Sequence, residues 1–201
     1  MKILVCPLNW GLGHATRCVP IIQGLMAEGH ELVLAADGFP LLFLKQEFPS
    51  LRFISLPSYS IRYSKSNSQV AVMIRSFPAI VGGIIREHCW LKRLLKTEHF
   101  DQIISDNRFG MWHKNTHSIY ITHQLMVKMP VKLKFLETLV HLIHKGFINC
   151  YDECWIPDTE ENGGLSGDLS HKYKLPKNGK FIGTLSRFQT CLLYTSPSPR
   201  D

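Results

Sequence analysis

Apolar residues along this chain cluster in short unbroken runs separated by amphipathic stretches, and the runs are of strand length. Lys2 to Pro7, Glu31 to Ala36, Leu51 to Leu56, Asp101 to Ser105 and Ser118 to Thr122 are each rich in Ile, Val, Leu, Phe, Tyr or Ala residues. Runs of this kind read as strands, Glu31 to Ala36 as a buried one. Cys154 to Pro157 makes a sixth strand, and Phe181 to Gly183 a short one leading out of the domain. Between them lie helical patterns. One follows the first strand and runs to about Glu28, where Gly29 supplies a stop, and a short one covers Pro40 to Gln46. Beyond the polar run Ser58 to Ser68, which reads as an exposed loop, a long helix extends to about Lys96. Val70, Met73, Ile74, Phe77, Val81, Ile84, Leu91 and Leu94 fall near helical spacing within it. Pro78 and the Gly82-Gly83 pair are expected to bend or break that helix. A further helix, Val131 to Lys145, carries Leu133, Phe135, Leu136, Leu139, Val140, Leu142 and Ile143 beside Lys132, Lys134 and Lys145. Packing against the core is its favoured reading, and lying on a membrane surface the alternative. Strands alternating with helices predict the α/β class, an open parallel Rossmann-like sheet.

In such a sheet ligands bind at the carboxyl ends of the strands. Three of those ends carry polar chemistry. Asn9-Trp10-Gly11-Leu12-Gly13-His14-Ala15-Thr16-Arg17 follows the first strand, Asp106-Asn107-Arg108-Phe109-Gly110 the fourth, and His123-Gln124 the fifth. Gly11 and Gly13 let backbone N–H groups approach a ligand closely, and the helix behind them adds the positive end of its dipole. His14 then stands at the lip of the site, either as an acid-base group or as a loop histidine. The turn is only half of a dinucleotide fingerprint, because Thr16 occupies the place of the third glycine; Asp37 sits where a ribose-binding acid would, but before Gly38 it reads first as plain turn chemistry. No Gly-Lys-Ser/Thr follows, which excludes a Walker phosphate loop.

Composition narrows the partners. The 201 residues suffice for one sizeable domain, or for one and the start of another, and the formal net charge of +7 suggests an anionic partner such as a phosphate-bearing ligand or an acidic membrane. Nucleic acid is not expected, for there is no dense basic run or basic-aromatic array. The six cysteines show neither a disulfide framework nor a CxxC pair, in keeping with a reduced, cytoplasmic setting. No signal peptide is read at the N-terminus, and no apolar run reaches the roughly 20 residues that span a bilayer.

The stretches at 9–17, Ser-Asp-Asn-Arg-Phe-Gly at 105–110, Ile-Thr-His-Gln at 121–124, Leu-Ser-Gly-Asp-Leu-Ser-His at 165–171 and Gly-Thr-Leu-Ser-Arg-Phe at 183–188 carry a resemblance. Together they make the chain similar to the N-terminal half of GT-B glycosyltransferases, near the group that adds N-acetylglucosamine to lipid-linked muramyl-pentapeptide. The usual Gly-Gly-x-Gly-Gly-His loop is reduced here to Gly-Leu-Gly-His, so acceptor contacts are not copied across. The resemblance implies an acceptor-binding domain over residues 1–183 and the start of an interdomain linker at 184–190. It also implies a nucleotide-sugar donor, UDP-linked, held mostly by a second domain, and a glycan or lipid-linked acceptor, with transfer of a hexosyl or N-acetylhexosaminyl group by inversion. His14 matches the general base of such enzymes. Asp106 is the candidate to orient it, with an Asx turn as the alternative. Gly11, Gly13, Arg17, Arg108, His123 and Gln124 are candidate acceptor- or phosphate-binding residues, the two arginines being otherwise solvated cations. No metal or other cofactor is expected, since the fold type stabilises the departing diphosphate with helix dipoles and side chains and the chain holds no Asp-x-Asp. A cytoplasmic location, peripheral at the inner membrane face, follows. Competing readings are a sugar-nucleotide epimerase on the same scaffold, a dinucleotide-binding oxidoreductase domain, and a non-catalytic binding module. Residues 191–201 match the translation of a transposon-based sequencing adapter, and the natural protein is expected to continue past about Gln189.

Overall fold

The computed structural model describes residues 1–57, 69–126, 128 and 131–186, without the side chains of 69–77, 131–133 and 162. The loop expected at 58–68, the end of the expected linker and the adapter-like tail lie outside the described residues, as do the side chains of Val70, Met73, Ile74, Phe77, Lys132 and Leu133.

Seven strands form a single sheet: β1 (Lys2–Pro7), β2 (Glu31–Ala36), β3 (Arg52–Ser55), β4 (Gln102–Asp106), β5 (His117–Ile121), β6 (Glu153–Ile156) and β7 (Gly179–Phe181). Their order is β3-β2-β1-β4-β5-β6-β7, and every neighbouring pair is parallel. The α/β class and the open parallel sheet are as the sequence pattern predicts. Parallel pairing needs crossovers, and helices α1 (Leu12–Ala27), α2 (Gly38–Glu47), α3 (Gln69–Thr97) and α4 (Glu137–Ile148) supply them, with a one-turn α5 (Asp168–His171) before β7, except between β4 and β5, where the non-helical residues 107–116 make the connection.

The unbroken apolar runs find their explanation in the layers. Ile3 and Val5 of β1 point to one face and pack with Ile22 of α1 and Leu44 of α2, while Leu4 and Cys6 point to the other and pack with Leu91 of α3. Both faces are covered, so neither parity of residue needs to be polar. A third cluster, Tyr120, Leu125, Ile148, Tyr151, Cys154 and Ile156, closes the far end under α4.

Two helices depart from expectation. Pro78 and Gly82-Gly83 lie inside one continuous α3 rather than breaking it. Proline removes one hydrogen bond, and the helix is held regardless by its docked second half, where Glu87 and Leu91 are fully buried. The expected helix at 131–145 begins as 3-10 turns over Val131–Leu136 and becomes α4 only from Glu137. Its orientation is the larger surprise. Glu137, His141, His144 and Ile148 face inward, whereas Phe135, Leu139, Leu142 and Ile143 are exposed. The favoured core-packing reading is therefore corrected: the apolar surface of this helix is turned outward. Polar partners explain the inversion. His141 Nδ1 lies 2.9 Å from the Leu125 carbonyl and its ring stacks on Tyr173, His144 Nε2 lies 3.3 Å from the Tyr120 hydroxyl, and Glu137 accepts from Lys172 Nζ at 2.7 Å.

Candidate active site at the switch point of the sheet

The chain leaves β1 in one direction to form β2 and returns on the other side to form β4, so a crevice opens between the carboxyl ends of β1 and β4. Asp106 is the last residue of β4 and pairs in register with Pro7 on one side and Ile121 on the other. It stands on the α1 face, the face of Val5, Ile104 and Ile119. There α1 presents His14 and Arg17, three residues apart and hence on one side of the helix.

Gly11 begins the helix with φ +101°, a backbone conformation that L side chains rarely adopt, and both Gly11 and Gly13 open onto space that no other residue fills. The helix has no acidic residue in its first turn and no side-chain cap, which leaves its N-terminal N–H groups to a ligand.

Asp106 is fully buried and ringed by donors. His14 Nδ1 lies 3.2 and 3.3 Å from its two oxygens, Arg17 Nε donates to Oδ2 at 2.7 Å, and Arg17 Nη2 donates to Oδ1. Burial alone would raise this carboxyl, but the contact with His14 and the Arg17 charge together hold it below the ordinary value. Arg17 also reaches His123 Nδ1 and His14 Nδ1, each at 2.6 Å. His123 is held below the usual imidazole value by burial, then by the charge of Arg17. Thus His14, Arg17, Asp106 and His123, from the ends of three strands, form one hydrogen-bonded cluster. Gln124 follows in the turn beyond β5, where its backbone N–H bonds the Thr122 hydroxyl at 3.1 Å.

Asn107, next to Asp106, sits at φ +54°. Its N–H bonds the Ile121 carbonyl at 3.1 Å and its side-chain oxygen accepts from the Tyr120 hydroxyl at 3.0 Å. This strained corner turns the chain sharply, so that Asp106 faces α1 while Arg108 goes to the α3 side. The expectation that Arg108 binds acceptor phosphate, or is a solvated cation, is corrected accordingly. Arg108 is 1% exposed and donates to Glu87 at 2.5 Å, to Asp37, and to the Pro7 carbonyl at 2.8 Å. It neutralises two buried acids in the core. Asp37, which sat where a ribose-binding acid would, is 4% exposed and committed to this ion pair and to Asn9 Nδ2 at 3.2 Å. Arg17 is no free phosphate ligand either, since its fork is engaged on Asp106 and both histidines. Glu87, Asn107 and Tyr120 were not singled out from the sequence. Only Asn107 carried a local sign, lying in a polar cluster directly after a strand and being a residue type that tolerates positive φ.

Among the described residues no group of three or more His, Cys, Asp or Glu side chains is arranged to hold a metal ion, and no helix is long and apolar enough to cross a membrane.

No family model matches the sequence, and no curated protein matches it. Solved structures do match its fold. The calicheamicin glycosyltransferase CalG4 aligns with a TM-score of 0.58 at 10% identity, over 91% of this chain and 52% of its own. The glycotransferase of kitacinnamycin aligns at 0.57 and 15% identity, over 95% and 53%. A UDP-glucosyltransferase from Polygonum tinctorium aligns at 0.55 and 11% identity, over 92% and 52%. The chain spans about half the length of these proteins. At such identities the likeness is one of architecture, and the architecture of this chain is that of the N-terminal domain of the GT-B glycosyltransferases.

Proposed function

We propose that the chain is the acceptor-binding half of a glycosyltransferase that moves a hexosyl or N-acetylhexosaminyl group from a nucleotide-sugar, UDP-linked, to an acceptor hydroxyl. The observation that carries the reading is the His14–Asp106 pair at the switch point, with Nδ1 3.2 Å from a fully buried carboxylate. In the proposed step His14 donates Nδ1–H to Asp106 and takes the acceptor hydroxyl proton at Nε2, while the oxygen attacks the anomeric carbon and the bond to the diphosphate breaks. Configuration inverts. Asp106, held ionised, accepts from the Nδ1–H form and stabilises the imidazolium formed in the step. The step invokes no metal or other cofactor.

The alternative of a dinucleotide-binding oxidoreductase loses its acid, because Asp37 is sequestered by Arg108. The finer proposal, that the acceptor is lipid-linked, as in the muramyl-pentapeptide group that the motifs resemble, is supported by α4 and the 3-10 turns that lead into it. Phe135, at 75% exposed, Leu139, Leu142 and Ile143 form an outward apolar face beside Lys134 and Lys145, the composition of a helix lying on an anionic membrane. A peripheral position at the cytoplasmic membrane face belongs to that proposal.

The test is kinetic and uses the complete enzyme with a panel of UDP-sugars. His14→Ala should lower kcat by roughly 10²- to 10⁴-fold, the usual contribution of a positioned base, and Asp106→Asn should lower it less. Unchanged kcat with a raised KM would assign His14 to acceptor binding alone. Interconversion of the UDP-sugar without any acceptor would replace transfer by epimerisation.

A further inference from the structure

Arg17 makes contacts that its two histidines cannot all honour in one protonation state. A guanidinium has donors only and does not give up its proton. A ring nitrogen 2.6 Å from it must therefore present a lone pair, and this holds for Nδ1 of His14 and for Nδ1 of His123. A neutral imidazole has one lone-pair nitrogen and one N–H, so a lone pair at Nδ1 places the proton on Nε2. An Nε2–H cannot accept a hydroxyl proton. Yet His14 Nδ1 also lies 3.2 and 3.3 Å from the Asp106 oxygens, where only an Nδ1–H would bond. The contacts exclude one another, and that to Arg17 is the shorter. The cluster is shielded as well, with the side chains of His14 and Arg17 each 12% exposed and that of Asp106 fully buried.

We propose that Arg17 is a positioning residue that sets the tautomers of both histidines, holding His14 and His123 as Nε2–H forms in the ligand-free chain. His14 becomes a base only when Arg17 releases its Nδ1, whereupon the ring exchanges its Nε2 proton for one on Nδ1 through solvent and bonds Asp106. The exchange leaves the net charge unchanged and consumes nothing. His123, its Nδ1 still capped by Arg17, stays a hydrogen-bond donor at Nε2 and does not replace His14 as base. The proposal rests on the reading of His14 as the proton acceptor, but its test does not depend on activity.

The experiment is a two-bond proton–nitrogen correlation spectrum of the 201-residue chain labelled with nitrogen-15 histidine. It is recorded at about pH 8.5, above the ordinary imidazole value. Loss of a signal in His14→Gln or His123→Gln assigns each ring. Both rings should show protonated Nε2 and bare Nδ1 in the wild type, and His14 should convert to the Nδ1–H pattern in Arg17→Met. A wild-type His14 already in the Nδ1–H form overturns the proposal, and so does an Nε2–H pattern unchanged in Arg17→Met. Should Arg17→Met not fold, the wild-type spectrum alone decides. Normal kcat in His14→Ala of the complete enzyme, with the tautomers as stated, would sink the catalytic reading and leave the tautomer assignment intact.

Discussion

Arg108 and Arg17 lie close to the same strand ends and do opposite work. Arg17 is at the lip of the crevice, bonded to groups with acid-base chemistry. Arg108 is sealed in the core, where Asp37 and Glu87 supply the counter-charges that its buried guanidinium needs. Burial pushes the Glu87 carboxyl up against the opposing pull of Arg108, so the acid depends on that guanidinium to stay ionised. Arg108→Met should therefore lower the stability of the chain by about 3–5 kcal/mol, because it strands two acids without a counter-charge. Urea denaturation followed by far-ultraviolet circular dichroism measures it. A loss under about 1 kcal/mol would mean that water or a protonated acid compensates.

The elements at the β7 edge of the sheet are tied by one carboxylate. Glu153 on β6 is hydrogen-bonded to Lys180 Nζ at 2.5 Å, Trp155 Nε1 at 2.7 Å and His117 Nε2 at 3.0 Å, joining β5, β6 and β7. Burial would raise its pKa, but the bonds from Lys180, Trp155 and His117 bring it from 4.5 to about 2. A carboxyl depressed in the fold stabilises it above the unfolded value, and that contribution fades as pH falls from about 4.5 to about 2. Glu153→Gln should flatten the acid limb of the stability–pH curve over that window, and carbon-13 titration should place the Glu153 midpoint near 2. The outward face of α4 allows a second test at this scale. The chain should co-sediment with anionic liposomes and not with neutral ones, and Lys134→Glu with Lys145→Glu should reduce binding. Equal partitioning of the variant would remove the membrane from the proposed function.

At the scale of the whole molecule, the switch point lies at the carboxyl ends of the inner strands β1 and β4, and the chain spans about half the length of the glycosyltransferases whose fold it shares. In the proposed mechanism the diphosphate of the donor is held by a second domain, so the base and the leaving group belong to different units. The 201-residue chain alone should transfer no sugar from any of a panel of UDP-sugars, measured as nucleotide release. Appreciable turnover would show that the donor site is built into this half.

The apolar runs by themselves determined the strands and their alternation with helices. From that alternation followed a parallel sheet whose carboxyl ends share an edge, so His14, Asp106 and His123 could be placed near one another without knowing a single contact. What happened one or two residues beyond a strand was not legible, because the two-residue alternation stops there and loop torsions take over. Asn107 at φ +54° sends Arg108 to the α3 face, where its acids come from 71 and 21 residues away in sequence. Asp37 read as turn chemistry or as a ligand acid for the same reason, its partner being invisible in the chain around it. The helix pattern at 131–145 showed an apolar stripe but not which way it would face, since the inward side was chosen by Leu125, Tyr120 and Lys172, which meet His141, His144 and Glu137 only in the folded chain. Local spacing thus determined which residues reach the site, and long-range hydrogen bonding decided which way each side chain turns.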